Sequence, residues 1–387
     1  MYNVKLLNNI SASGLQKLPQ DRFHADKNVE NPDAILVRSF KMHDYDFNPE
    51  LLCIARAGAG TNNIPSDVCA EKGIVVFNTP GANAEAVKEL CICALFMASR
   101  DVLGGIEWVK SIVGEGDAVP AMIEKGKASF TGPELMGKTL GVIGLGAIGA
   151  RIANTALSLG MSVYGYDPYL SVDAAWQLSR SVKHAVDLDT IFSNCDYITL
   201  HVPCIDATRG MINAGAIAKM KDGVRIINLA RGELVNDDDM IAALDSGKIA
   251  RYVTDFPNAK IAATANVVPM PHLGASTPES EDKCALMAVQ ELVEYVENGN
   301  IINAVNLPSV QLDRQGKARI CVIHRNVPRM INGFLDVIGN LDINVEHMIN
   351  KARGEYAYTI IDVGSEINEE SAEKIKELEG VIRVRVL

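Results

Sequence analysis

An α/β fold built on parallel sheets, followed by a small antiparallel module, is the class the sequence predicts, and three observations predict it. Short apolar runs alternate with helical patterns over most of the 387 residues, which is how strand–crossover–strand units read. Residues 138–168, KTLGVIGLGAIGARIANTALSLGMSVYGYDP, space three glycines as G-x-G-x-x-G between an apolar stretch and an amphipathic one. After residue 317 the order becomes strand, helix, strand, strand, helix, strand, the ferredoxin-like arrangement.

In chain order, Ala34–Val37 and residues 51–55 and 74–77 read as strands, and 84–98 as a largely buried helix. Arg56-Ala-Gly-Ala-Gly-Thr61 sets one cation and two glycines, Gly58 and Gly60, just after a strand. It is open to two readings: a loop whose amides hold an anion, or a Gly-rich turn with a surface arginine. Residues 101–137 read as helix and then irregular loop. The glycine stretch follows. Gly144 lets the chain turn out of the strand Thr139–Ile143, Gly146 removes a side chain where backbone must approach a pyrophosphate, and Gly149 lets helix 148–159 pack on the strand. The free amides of that helix face the phosphates. Asp167 directly follows the next strand, Ser162–Tyr166. A carboxylate there accepts from ribose hydroxyls and repels a 2′-phosphate, so the site is expected to take NAD.

Further strands are expected at 197–202, 225–229, Ile249–Thr254 and 266–270, with a helix at 237–244 among the crossovers and a long helix at 278–296. The carboxyl module is expected as strand 319–324, helix 328–341, strands 343–351 and Tyr356–Val363, helix 369–379 and strand 381–387.

Composition excludes several classes. Apolar content of 48% is ample for real cores. A net charge of −11 lacks the basic surface that nucleic acid requires. The eight cysteines form no C-x-x-C pair, so buried free thiols are expected and no metal site. The start MYNVKLLNNI has no charged region ahead of a long apolar core, and no apolar span reaches the ~18 residues of a membrane helix. The expectation is a soluble cytoplasmic protein without membrane or nucleic-acid partners.

Hydride transfer from a hydroxy acid needs a carboxylate-binding cation and an acid–base group titrating near neutrality. Arg231 in INLARGELV follows a strand and can clamp a carboxylate bidentately. His272 in PMPHLGAST can serve as base; taken alone, such a histidine is more often structural. His201, His24, His43, His184 and His347 read as structural.

In order along the chain, RAGAGTNN, FNTPGANA, GVIGLGAIG, GYDP, HVP, NLARGELV and PHLGAST resemble the motifs of the D-isomer-specific 2-hydroxyacid dehydrogenases, and within them the branch that oxidises D-3-phosphoglycerate with NAD at the entry to serine biosynthesis. The resemblance implies a Rossmann-type NAD domain, residues 99–274, inserted in a flavodoxin-like catalytic domain formed by 1–98 and 275–308. A linker, 309–317, then leads to a module at 318–387. It further implies that Arg231 binds the substrate carboxylate, that His272 exchanges the proton, and that Arg56, Gly58 and Gly60 bind substrate. Thr79, Ala147, Ile148, Asp167, Val202, Leu229, Asp255, Gly274 and Ala275 would line the cofactor with the three glycines. A homodimer through the NAD domains, or a tetramer, is implied as well. Two alternatives stay open: a dehydrogenase of another D-2-hydroxy acid, such as glycerate or lactate, and a non-catalytic NAD-sensing interaction protein.

The family pairs its histidine with a glutamate a few residues beyond the Asp255 position, whereas here the run TDFPNAK has Lys260 near that place. A cation there would lower the pKa of His272; alternatively Lys260 binds substrate phosphate or points to solvent. The carboxyl module resembles an ACT domain, the small-molecule sensor of serine-pathway dehydrogenases. That resemblance implies that His324, Asn326 and Asn344 bind L-serine, with the alternative of an ACT interface that binds no effector. Arg329 stands where the family has glycine.

Overall fold

A computed structural model describes residues 1–387, leaving aside the side chains of Asp173 and Glu369. The chain gathers into two compact units, residues 1–83 with 278–387, and residues 84–277.

In the first unit, β1 (Tyr2–Leu7), β2 (Phe23–Asp26), β3 (Ala34–Val37), β4 (Cys53–Arg56) and β5 (Val75–Phe77) form a parallel sheet in the order β2-β1-β3-β4-β5. This is the flavodoxin-like order. AILV of β3 and VVF of β5 are continuous apolar runs because these strands are buried on both faces. The helix Pro278–Asn298 turns Ala288, Leu292 and Tyr295 into the same core. Strands β1 and β2 are additional to the sequence expectation. Only Val4 of β1 is buried, and β2 is a four-residue edge strand anchored by Phe23, so neither carries a strong period-2 signal.

The second unit holds seven parallel strands: β6 (Thr139–Ile143), β7 (Ser162–Tyr166), β8 (Lys183–His184), β9 (Tyr197–Leu200), β10 (Val224–Asn228), β11 (Ile249–Thr254) and β12 (Val267–Pro269). Their order is β12-β11-β10-β9-β6-β7-β8. Strand order reverses between β6 and β9, and ligands of such sheets bind at the carboxyl ends beside that reversal. The helices Ala84–Ser99 and Ala147–Ser158 pack on one side, burying Leu95, Ala98, Ile152 and Ala156 with Leu140 and Val142. The helix Val102–Ser111 buries no residue and exposes Val102, Leu103 and Ile106.

The carboxyl sheet belongs to the first unit. Strands β13 (Ala318–Arg325), β14 (Val345–Arg353), β15 (Tyr356–Val363) and β16 (Val381–Val386) run antiparallel in the order β14-β15-β13-β16. One face packs Ile320, Val322 and Ile361 on Phe334 and Ile338 of the helix Met330–Gly339 and Ile375 of the helix Glu369–Lys376. The other face sends Cys321, Ile323, Tyr358 and Ile360 into the core shared with Leu292, Tyr295 and Val296. Arginines secure this second face. Arg385 donates from Nη1 to the Tyr295 carbonyl (3.0 Å) and from Nη2 to that of Val296 (2.7 Å), Arg319 donates from Nη1 to that of Asn298 (2.8 Å), and Tyr358 Oη donates to that of Gly299 (2.6 Å). These carbonyls lie in and just beyond the last turn of the helix, where carbonyls run short of helical donors; that of Tyr295 also accepts from the Gly299 amide (2.9 Å).

Among the described residues no helix is long and apolar enough to cross a membrane, and no group of three or more His, Cys, Asp or Glu could hold a metal ion.

Candidate active site

The glycine loop lies at the strand reversal. Gly144 has φ +92°, and a Cβ on it would stand 2.4 Å from the His201 carbonyl oxygen and 2.9 Å from Val202 Cγ1. A Cβ on Gly149 would stand 1.9 Å from the Gly144 carbonyl, whereas one on Gly146 would meet nothing within 4 Å. The first and third glycines are therefore required by packing, and the second faces open space. The helix Ala147–Ser158 starts at Gly146 with no side-chain cap, leaving its first amides, including those of Ala147 and Ile148, available to a phosphate. Asp167 holds the loop from the next strand. Its Oδ2 accepts from the Leu145 amide (2.9 Å) and its Oδ1 from the Tyr169 amide (2.9 Å). Donors, open space and a carboxylate beyond the second strand fit a dinucleotide with an unphosphorylated ribose. Beneath them, His201 is kept neutral: burial pushes its imidazole down to about 3, and Nε2 lies 2.8 Å from Thr199 Oγ1.

At the neighbouring strand ends, Arg231, Asp255 and His272 come close around a residue that the sequence did not single out, Phe256. The Phe256 ring lies 4.4 Å from the His272 ring, tilted by 47°, and the Arg231 guanidinium carbon sits over the same ring at 5.6 Å. The Arg231 backbone is pinned by Asn228, wholly buried at the end of β10, whose Nδ2 donates to the Arg231 carbonyl (2.8 Å). Arg231 Nη1 donates to the Ala230 carbonyl (2.6 Å). Asp255 is almost fully buried. Burial pushes its carboxyl up to about 6, opposed by the Gly274 amide and the Arg231 guanidinium. A Cβ on Gly274 would stand 3.6 Å from Asp255 Oδ2. Leu229 is buried one residue past β10, and Ala275 is partly buried beside Gly274. Phe256 directly follows the strand-end acid and precedes Pro257, a setting that carries no spacing signal of its own.

Lys260 takes the solvent-facing orientation, one of the three left open by the sequence. It lies on the short helix Ala259–Ala262, is 56% exposed and pairs with Asp238. A solvated ammonium already neutralised by a carboxylate is a weak source of field at an imidazole.

In the first unit, Arg56 ends β4 and donates from Nε to Asn63 Oδ1 (3.0 Å). A Cβ on Gly58 would stand 2.4 Å from Arg56 Nη1, so a side chain there would displace the guanidinium. Gly60 is partly buried in the same loop. Thr79 is fully buried, its amide donating to the Gly58 carbonyl (3.2 Å).

In the carboxyl module, His324 is 2% exposed, and both ring nitrogens are engaged, Nδ1 with the Arg325 carbonyl (2.8 Å) and Nε2 with Thr359 Oγ1 (2.9 Å). Both nitrogens of this buried ring thus have partners within the chain. Asn326 and Asn344 are both exposed but stand at opposite ends of the sheet, one donating its amide to Glu355 and the other accepting from Gly364. Eight residues of strand separate those ends, roughly 25 Å. The three do not converge within one chain.

The family model for "D-isomer specific 2-hydroxyacid dehydrogenase, NAD binding domain" matches residues 94–274. A D-3-phosphoglycerate dehydrogenase of Haemophilus influenzae is 30% identical over 354 residues, covering 88% of this chain and 82% of its own. A hydroxypyruvate reductase of Thermotoga maritima is 37% identical over 278 residues, 69% of this chain and 85% of its own. Among solved structures, the NAD+-bound 3-phosphoglycerate dehydrogenase of Entamoeba histolytica superposes with a TM-score of 0.62 at 24% identity, over 79% of this chain and 98% of that one.

Proposed function

The chain belongs to the D-isomer-specific 2-hydroxyacid dehydrogenase family as an NAD-dependent oxidoreductase, and from that premise we propose that it oxidises D-3-phosphoglycerate to 3-phosphohydroxypyruvate, the entry step to L-serine. The observation that carries the chemistry is the meeting of Arg231 and His272 on one aromatic ring at the carboxyl ends of the strands. Support for a phosphorylated substrate comes from similarity to enzymes of that name at about 30% identity.

In this reading the Gly144–Gly146–Gly149 loop and Asp167 hold NAD, with Ala147, Ile148, Val202, Leu229, Asp255, Gly274 and Ala275 lining it. The bound cofactor supplies the acceptor for the hydride that leaves C2. His272 takes the C2 hydroxyl proton on an imidazole nitrogen and returns it in the reverse direction. Arg231 grips the carboxylate and draws charge from the forming carbonyl oxygen. Arg56 with the Gly60 amide is proposed as an anion-binding loop, the Gly58 amide being turned back onto the Arg56 carbonyl (2.8 Å). The exposed Val102, Leu103 and Ile106 suit a homodimer contact, and L-serine control at the carboxyl module would rest on Asn326 and Asn344, drawn from different copies.

The similarity to a hydroxypyruvate reductase favours a second reading, an unphosphorylated 2-keto acid as substrate. NADH consumption with 3-phosphohydroxypyruvate and with hydroxypyruvate, each with and without L-serine, separates them. A kcat/KM preference of about a hundredfold for the phosphorylated acid is expected. Equal values select the second reading, and no turnover of either removes both.

A further inference from the structure

We propose that Phe256 is the positioning residue of this site, its ring setting the separation and aim of Arg231 and His272. The proposal rests on the roles given to those two residues above.

Two observations fix the backbone of Phe256. Its backbone amide donates to Thr254 Oγ1 (3.1 Å), and Thr254 is fully buried at the end of β11. Its carbonyl oxygen lies 3.3 Å from where a Cβ on Gly232 would stand, so the residue after Arg231 packs closely on Phe256. Phe256 is thus tied both to the sheet and to the arginine loop.

An aromatic ring suits this task for a chemical reason. Its face attracts a guanidinium through the ring quadrupole and packs against an imidazole, yet takes no N–H from either. A carboxylate in the same place would pair with Arg231 and compete with the substrate carboxylate for its donors. The ring holds both groups without itself competing for the substrate's hydrogen bonds. Lys260, turned outward to Asp238, contributes nothing to this arrangement. Reactive alignment is demanding, since a displacement of about 1 Å can cost on the order of a hundredfold in rate.

The test compares Phe256→Leu, which keeps apolar volume but has no ring, with Phe256→Tyr, which keeps the ring. Steady-state reduction of the keto acid is measured for each, with NADH affinity by fluorescence titration and folding by circular dichroism. Phe256→Leu is expected to lose roughly tenfold or more in kcat while its NADH affinity stays within about twofold of wild type. Phe256→Tyr is expected to restore most of kcat. Wild-type kcat and KM in Phe256→Leu would overturn the proposal. So would a parallel loss of NADH affinity, or a Tyr variant as impaired as the Leu one, because either assigns Phe256 to general support of the fold. Arg231→Met and His272→Ala run alongside separate the two levels. If both keep activity, the roles given to those residues fail; if both lose it and Phe256→Leu does not, only the positioning role fails.

Discussion

Arg319 and Asp362 stand directly opposite each other on β13 and β15 and form a two-pronged ion pair, Nε to Oδ1 at 2.6 Å and Nη2 to Oδ2 at 2.7 Å, with no exposed side-chain surface on either. Asp362 Oδ2 also accepts the Gln315 amide, and Arg319 reaches the Asn298 carbonyl. Strand, linker and helix end therefore meet on one pair. Arg319→Met would leave a buried carboxylate unpaired, and a loss of about 3–5 kcal/mol is expected. Urea denaturation checks this, with Arg319→Met/Asp362→Leu expected to recover most of the loss.

Glu291 gives the first unit a pH dependence. It is 4% exposed, one oxygen accepts from Asn303 Nδ2 (2.6 Å), and burial pushes its carboxyl up to about 8. The folded value lies above the unfolded one of about 4.3, so the native state binds the proton more tightly. Stability is therefore greatest below the unfolded value and falls as pH rises towards the folded one, by at most about 1.4 kcal/mol per unit. Asp255, raised only to about 6, has spent its contribution by pH 6.5. Denaturation midpoints at pH 6.5 and 9 should differ in wild type and converge in Glu291→Gln.

Lys260→Met is expected to leave kcat and KM within about twofold of wild type and the acidic limb of the oxidation profile unmoved, since the exposed pair with Asp238 carries little energy. A limb displaced by half a unit or more would show that Lys260 does act on His272.

Asp167→Ala removes the acceptor of the Leu145 and Tyr169 amides along with the proposed ribose contact. Fluorescence titration should find NADH bound on the order of tenfold more weakly. The gap between NADH and NADPH should narrow, because the charge that repels a 2′-phosphate is gone. An unchanged preference would place cofactor discrimination elsewhere.

What could be read from the sequence follows a physical divide. The glycine loop, β6, β7 and Asp167 were legible because each residue's task is local: a positive φ, a close approach, a carboxylate at a strand end. β13 to β16 were legible from alternation and order. Phe256 was not, because its significance is contact with Arg231 and His272, 25 and 16 residues away, and an isolated aromatic carries no spacing signal. For Lys260 the sequence left three orientations open, because position along the chain says little about where a long side chain turns; the solvent-facing one is observed. Likewise His324 follows the ACT pattern in sequence, but its neighbours in the sheet, Thr359 and Arg325, use both its nitrogens. At Arg329 the departure from the family's glycine has a visible consequence: the residue adopts φ +72°, a backbone state that costs a side-chain-bearing residue about 1–2 kcal/mol.

The carboxyl sheet spends both of its faces, one on its own helices and one on the core beneath the helix Pro278–Asn298. Such a sheet is not a cassette. Cutting the chain in the 309–317 linker would strip Cys321, Ile323, Tyr358 and Ile360 from that core and uncover the helix carbonyls that Arg385 now satisfies. Grafting a foreign sensor at the same joint would bring an inner face shaped for another protein. In this chain the module and the parallel sheet of the first unit are bound together by one core, and even the outer strand β14 is tied in, Arg353 Nη1 donating to the Ala304 carbonyl (2.9 Å).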